Sequence, residues 1–216
     1  MMDRRTENEG VKLAGPVEFS VQAYFQAVAR TIPQLPYSSI QQIIAVILRA
    51  CEQGRTLFVF GNGGSAATAS HMMCDLSKGT AGNERRLKVI AFTDNVPLLT
   101  AWANDAGYEH VFSEQLKTFV QPGDVVLAIS GSGNSASVLE GLKTARESGA
   151  ISLGMAGYQG GRMKELCDIC AVVPSDDIQV VEDLHHAIAH SILTAVRAVL
   201  QVPPKAMAAS AGAADD

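Results

Sequence analysis

Five side chains of the kind that bind metals or move protons stand at helical intervals: His71 with Asp75, and Glu182 with His186 and His190. A step of four residues stacks side chains on one face of a helix. Where two such helices meet, a carboxylate and an imidazole from each make a four-ligand set for Zn²⁺ or another divalent cation. The same groups suit proton transfer. Interconverting an aldose and a ketose through an enediol needs a base beside a carbonyl and an acid at the neighbouring atom, and imidazole and carboxylate can exchange those roles near neutral pH. A metal would polarise the carbonyl. A lone His-x-x-x-Asp is more often a surface ion pair, so the chemistry depends on the two stripes meeting in space.

Two loops rich in glycine and serine are the second signal. Residues 61–65 read GNGGS after the apolar run Leu57, Phe58, Val59 and Phe60, and residues 130–135 read SGSGNS after the run 125–129. Glycines let the backbone turn its N–H groups onto a ligand, serine hydroxyls add donors, and a following helix N-terminus favours an anion by up to about 1 kcal/mol. A phosphate held at Ser130, Gly131, Ser132 and Ser135 is the natural reading. The first loop also fits the dinucleotide fingerprint G-x-G-x-x-A. However, that motif wants an acid roughly 20 residues on, and Asp94 lies about 30 away. A Walker loop is absent, because Ser77-Lys78-Gly79-Thr80 has the wrong order and follows no strand.

The elements that position these residues show in the hydrophobic pattern. From Gly54 onward, short apolar runs at 56–60, 87–92, 124–129, 150–156 and 169–173 alternate with segments of helical spacing. That alternation marks a parallel sheet covered on both faces. It predicts an α/β protein, a three-layer α/β/α sandwich with five parallel strands. Before it, Val21, Tyr24, Phe25 and Val28 predict an amphipathic helix over 17–29, broken by Pro33 and Pro36. Ser38 or Ser39 can cap a second helix, with Ile40, Ile43, Ile44, Ile47 and Leu48 on one stripe, ending near Gly54. A last long helix starts at Asp176 or Asp177, runs to about Val199, and is stopped by Pro203 and Pro204.

Composition narrows the class. With 216 residues, 47% hydrophobic and 18% charged, the chain can bury one substantial core. It divides into a flexible tail over 1–15, a single domain over 16–201 that includes the helical pair, and a second flexible tail over 202–216. Seventeen Lys and Arg against 22 Asp and Glu leave a net charge of −5, which provides no electrostatic reason to expect nucleic acid or an anionic membrane as partner. The N-terminus lacks the apolar core of a signal peptide, and no apolar run approaches the roughly 18 residues of a membrane helix. A cytoplasmic location is the resulting expectation. The one suggestive cysteine spacing, Cys167-Asp168-Ile169-Cys170, has no second pair, so buried, reduced thiols are expected over a zinc site.

The motifs GNGGSAA at 61–67, His71, Asn104-Asp105, PGDVVLAISGSGNS at 122–135 and VEDLHHAIAH at 181–190 together resemble the SIS (sugar isomerase) domain family. The closest likeness is to its phosphoheptose isomerase branch, over about residues 17–200. The resemblance implies a homotetramer that interconverts sedoheptulose 7-phosphate and glycero-manno-heptose 7-phosphate, many members binding zinc. It places Asn62, Gly63, Gly64 and Ser65 against the substrate, with Ser130, Gly131, Ser132 and Ser135 at the phosphate. Asn104 and Asp105 fall on the sugar chain. His71, Asp75, Glu182 and His190 fall at the metal positions, Glu182 also lying on the substrate side, and Asp75 with His190 form the acid/base pair. His185 and His186 match no assigned position, so an extra ligand or a packing histidine are both open. Three residues depart from the branch: Asp75 stands where its well-studied members have glutamate, Glu182 where they have glutamine, and Gly131 where they have threonine. These departures leave another ketose phosphate open as substrate. The branch also resembles a non-catalytic phosphosugar-binding protein with a regulatory or assembly role, which is the alternative reading.

Overall fold

The structure is a computed structural model, and it describes residues 20–82 and 86–200. The expected tails at 1–15 and 202–216, the stop at Pro203 and Pro204, and the first residues of the helix expected from 17 lie outside the described residues. Five strands, β1 (Thr56–Gly61), β2 (Lys88–Ala91), β3 (Val125–Ser130), β4 (Ile151–Ala156) and β5 (Ile169–Val172), form one all-parallel sheet in the order β2-β1-β3-β4-β5. Each matches an apolar run of the sequence. Strands buried on both faces are read as continuous apolar runs, which explains the agreement.

Eight α-helices accompany the sheet among the described residues: α1 (Val21–Thr31), α2 (Tyr37–Glu52), α3 (Gly64–Gly79), α4 (Val96–Asp105), α5 (Ser113–Phe119), α6 (Ala136–Glu147), α7 (Met163–Leu166) and α8 (Ile178–Val199). Side chains alternate across a strand. Leu57, Val59, Val125, Leu127 and Ile129 therefore face one core, with Ile43 and Ile47 of α2, Met72 and Leu76 of α3 and Ile188 and Ile192 of α8. Phe58, Phe60, Val126 and Ala128 face the other, with Leu116 of α5, Val138 and Leu142 of α6 and Met163 of α7. These are the three expected layers. The N-terminal pair belongs to the first core, to which α2 gives Ile43 and Ile47 and against which Tyr24 and Val28 of α1 pack.

Local chemistry sets the element ends. Ser20 caps α1 by accepting the Ala23 N–H. Helix α2 starts at Tyr37, directly after Pro36, so neither Ser38 nor Ser39 caps it; both are already inside the first turn. Asp177 caps α8, its Oδ1 accepting the N–H groups of Gln179 and Val180. The buried Asp124 ties two strand entrances together. Its Oδ1 accepts the Thr56 N–H at 2.9 Å and its Oδ2 the Gln121 N–H at 2.9 Å. None of the four cysteines is in a disulfide: Cys51 is buried, Cys74 exposed, and Cys167 and Cys170 half-buried.

Candidate active site

Strand β1 pairs with β2 on one side and β3 on the other. The chain leaves β1 by α3 toward the first core and leaves β3 by α6 toward the second. This is a topological switch point, where open parallel sheets place their ligands, outside the carboxyl ends of the strands. Both glycine and serine loops emerge there, side by side. Gly61 pairs with Ile129, and a Cβ on Gly61 would come within 2.6 Å of the Ile129 carbonyl oxygen, so the two strand tips close up only around a glycine. Gly63 follows at φ +56°, ψ −123° and turns the chain into α3.

The serine loop is folded on itself. Ser130 Oγ accepts the Gly133 N–H at 3.2 Å, Ser132 Oγ accepts the Asn134 N–H at 3.2 Å, and the hydroxyls of Ser130 and Ser135 lie 3.3 Å apart. Ser135 stands at the N-cap of α6, yet its hydroxyl makes no capping bond. It faces Ser130 instead. The segment after β4 braces the loop from behind: the Met163 N–H donates to the Gly133 carbonyl, and the Arg162 N–H donates to Asn134 Oδ1. A cleft of about 180 Å³ opens between the loops, lined by Asn62, Ser65, Ile129, Ser130, Gly131, Ser132, Ser135, Ile178 and Glu182. Seven of these nine were expected against substrate or phosphate. Ile129, at the end of β3, and Ile178, the first residue of α8, were not. A Cβ on Gly131 would come within 2.4 Å of Ile178 Cδ1, so isoleucine fills the space beside the glycine.

Asn62 is held by two bonds: its Nδ2 donates to Ser137 Oγ at 2.9 Å, and its Oδ1 accepts from the Tyr108 hydroxyl at 2.9 Å. Sequence reasoning missed Tyr108, and no spacing could have linked it to a residue 46 positions earlier. Asn104 and Asp105 end α4, exposed and bonded to each other at 2.7 Å. They are not among the residues lining the cleft.

The two ligand-type stripes meet where α3 packs on α8. His71 Nε2 lies 3.0 Å from His190 Nε2 and 3.1 Å from Asp75 Oδ2, which is 3.6 Å from His190 Nε2. His186 joins them, its ring centroid 4.5 Å from that of His71 and 4.6 Å from that of His190. One ring nitrogen from each histidine lies within 4.8 Å of the others. Burial, and then the neighbouring charges of His71 and His190, push the His186 imidazole below the usual histidine range, which favours the neutral form that binds metals. Three imidazoles and a carboxylate are a donor set suited to a divalent transition metal. Glu182 does not close this cluster. Its carboxylate lies against Gly64 at the start of α3, where an added Cβ would come within 2.6 Å of Oε2.

The other open histidine packs. His185 is 1% exposed, and its Nε2–H donates to the Ala156 carbonyl at 3.0 Å, which leaves Nδ1 buried without a partner. Burial pushes its pKa down, so the ring stays neutral within the core.

The sheet, its switch point and the loops define a sugar-phosphate-binding SIS domain: the family's sequence pattern matches residues 23–157, more than half of the chain, which belongs to the SIS domain family. Within that family it is similar to phosphoheptose isomerases. It is 41% identical to the phosphoheptose isomerase of Bradyrhizobium sp. over 163 residues, covering 76% of this chain and 82% of that one. Identity to the phosphoheptose isomerase of Pelobacter propionicus is 38% over 181 residues, 84% and 94% of the two chains. The solved phosphoheptose isomerase GmhA from Neisseria gonorrhoeae superposes with a TM-score of 0.77 at 28% identity, over 82% of this chain and 97% of that one.

Proposed function

We propose that this chain is an aldose-ketose isomerase, an intramolecular oxidoreductase that interconverts sedoheptulose 7-phosphate and glycero-manno-heptose 7-phosphate. The observation that carries this reading is the pairing of a serine-lined cleft at the switch point with a facing carboxylate and imidazole, Asp75 and His190, on the two helices that border it. The phosphate is held by Ser130, Ser132 and Ser135, the hydroxyl of Ser135 being free of any helix-capping bond. Asn62 and the backbone of Gly63 and Gly64 grip the sugar.

Isomerisation then needs two proton movements. A base takes a proton from C1 of the ketose, electrons shift to give the 1,2-enediol, and the partner acid protonates O2; the O1 proton leaves as a proton returns to C2. Asp75 meets both histidines through Oδ2, which leaves Oδ1 for the substrate proton. A divalent ion, zinc in the first instance, fits the donor set around His71, Asp75 and His190 and would stabilise the negative charge that develops on the sugar oxygens. Ser65, Gly131, Glu182, Asn104 and Asp105 complete the proposed substrate contacts.

A homotetramer in the cytoplasm completes the proposal. The exposed apolar side chains Val21 and Phe25 of α1 support self-association, and four cysteines outside any disulfide suit a reducing compartment. No helix of the described residues is long and apolar enough to cross a membrane. Asp75 and His190 within bonding distance of His71 separate this reading from a non-catalytic binder, which has no use for them. Asp75→Asn and His190→Ala are each expected to abolish turnover of sedoheptulose 7-phosphate with circular dichroism unchanged. Wild-type turnover in both variants would sink the proposal.

A further inference from the structure

We infer that His186, and not Glu182, supplies the fourth ligand of the metal site, so that the metal is held by three imidazoles and one carboxylate: His71, Asp75, His186 and His190. The inference rests on the reading that this site carries a metal, and it changes which residue closes the site. Around a tetrahedral cation with bonds of about 2.0–2.1 Å, neighbouring donor atoms stand about 3.3 Å apart. The three spacings among His71 Nε2, His190 Nε2 and Asp75 Oδ2 are 3.0, 3.1 and 3.6 Å. They form one face of such a tetrahedron, with the fourth corner to be filled.

Two residues of α8 compete for that corner. Glu182 lies eight residues before His190, about 12 Å along the axis at 1.5 Å per residue, and His186 lies four before it, about 6 Å. Contacts agree with the shorter distance. The His186 ring packs on both other imidazoles, and one of its nitrogens lies within 4.8 Å of theirs. The Glu182 carboxylate is committed to Gly64 and to the wall of the serine-lined cleft. It therefore belongs with the substrate, two turns from the metal. A site with three nitrogen donors selects Zn²⁺, Co²⁺ or Ni²⁺ over Mg²⁺, Ca²⁺ or Mn²⁺, which prefer all-oxygen sets.

The test is Co²⁺ and Zn²⁺ binding by the full chain, stripped with chelator and followed by equilibrium dialysis and by the visible spectrum of bound Co²⁺. One Co²⁺ per chain with the intense bands of a four-coordinate site is expected. His186→Ala should weaken binding by about tenfold or more and alter the bands, whereas Glu182→Gln should leave both unchanged. Because His186 is only half-buried, the alanine variant should match the wild type by circular dichroism. As a second measurement, the ring-nitrogen resonances of His71, His186 and His190 in the wild type should all shift when Zn²⁺ is added. The inference is overturned if His186→Ala binds as the wild type does, if Glu182→Gln weakens binding as far as His71→Ala, if the His186 resonances stay put, or if the wild type takes up no Co²⁺. Neither arm reads turnover. A chain that binds Co²⁺ as expected and converts no sugar phosphate leaves this inference standing while the isomerase reading falls.

Discussion

Gly64→Ala puts the smallest possible perturbation where the two halves of the site touch. The new methyl would stand 2.6 Å from Glu182 Oε2 and 2.8 Å from its Cδ and Oε1, whereas ordinary contact begins near 3.4 Å. The carboxylate must retreat by about 0.8 Å, and being the far end of a flexible side chain it can do so by rotation. An off-rotamer torsion costs about 0.5–1.5 kcal/mol. Replacing glycine by alanine in a helix returns up to about 1 kcal/mol, so the denaturation midpoint should barely move. Activity should respond differently, because displacing a substrate-facing group by about 1 Å can cost roughly 100-fold. The expected result is a fall in kcat/KM of about 10- to 100-fold for sedoheptulose 7-phosphate at unchanged stability. Shortening the partner tests the cause: Glu182→Asp withdraws the carboxylate from the methyl, so the double variant should be less impaired than the two single losses combined. Wild-type kcat/KM in Gly64→Ala, or strict additivity in the double variant, would refute the argument that this contact places Glu182.

Three further outcomes follow from the structure. Ser135→Ala removes a hydroxyl that makes no helix-capping bond, so the melting temperature should hold. A hydrogen bond to a charged group is worth about 1.5–3 kcal/mol, so affinity for the sugar phosphate, read as Kd by calorimetry, should fall about 10- to 100-fold. The Tyr24 hydroxyl donates to Asp183 Oδ2 at 2.5 Å, and that bond, ahead of burial and of the carboxylate's charge, pushes its pKa up to about 12. The raised value means that the bond between α1 and α8 is fully present below about pH 10 and is lost as pH rises through about 12. A tyrosinate absorbance titration, with Tyr24→Phe as the difference, should show this late group moving toward 10 in Asp183→Asn. Asp124→Ala leaves the N–H groups of Thr56 and Gln121 without their acceptor, which should cost about 2–4 kcal/mol in urea unfolding; an unchanged midpoint would contradict the clamp.

The sheet was legible because its three central strands are buried on both faces. Phe58 and Phe60 feed one core while Leu57 and Val59 feed the other, so β1 carries no polar side and stands out as an unbroken run. The serine loop was legible for a related reason: Ser130, Ser132 and Ser135 offer more donors than a plain turn needs. Helix caps were less so. Ser38 and Ser39 have the right chemistry for a cap, but α2 starts at Tyr37, directly after Pro36 and one or two residues before them, and local chemistry alone does not rank a serine against a proline whose φ is already set. Tyr108 was beyond reach, and His186 stayed open between extra ligand and packing histidine, for another reason. Their partners are chosen by packing between elements far apart in sequence, and a histidine one turn from another on a helix reads identically whether it faces solvent, core or a metal.

The pairing of α3 with α8 explains why the site appears in no single motif. A Cβ at Gly64 would meet Glu182, His71 meets His190, and a Cβ at Gly79 would meet Leu193. The partners rise together along both helices, so α3 and α8 run parallel. Each rung has a different chemistry: a glycine that admits a carboxylate to the cleft, an imidazole pair, then a glycine that admits a leucine to the core. Glycine at both ends allows the axes to approach closely, and that approach brings the nitrogens of His71 and His190, 119 residues apart in sequence, to 3.0 Å. A residue larger than alanine at either end would separate the helices and open the histidine rung between them. Gly64 and Gly79 are therefore positioning residues for the same cluster, although Gly79 lies two turns beyond His71 and touches neither the cleft nor the histidines.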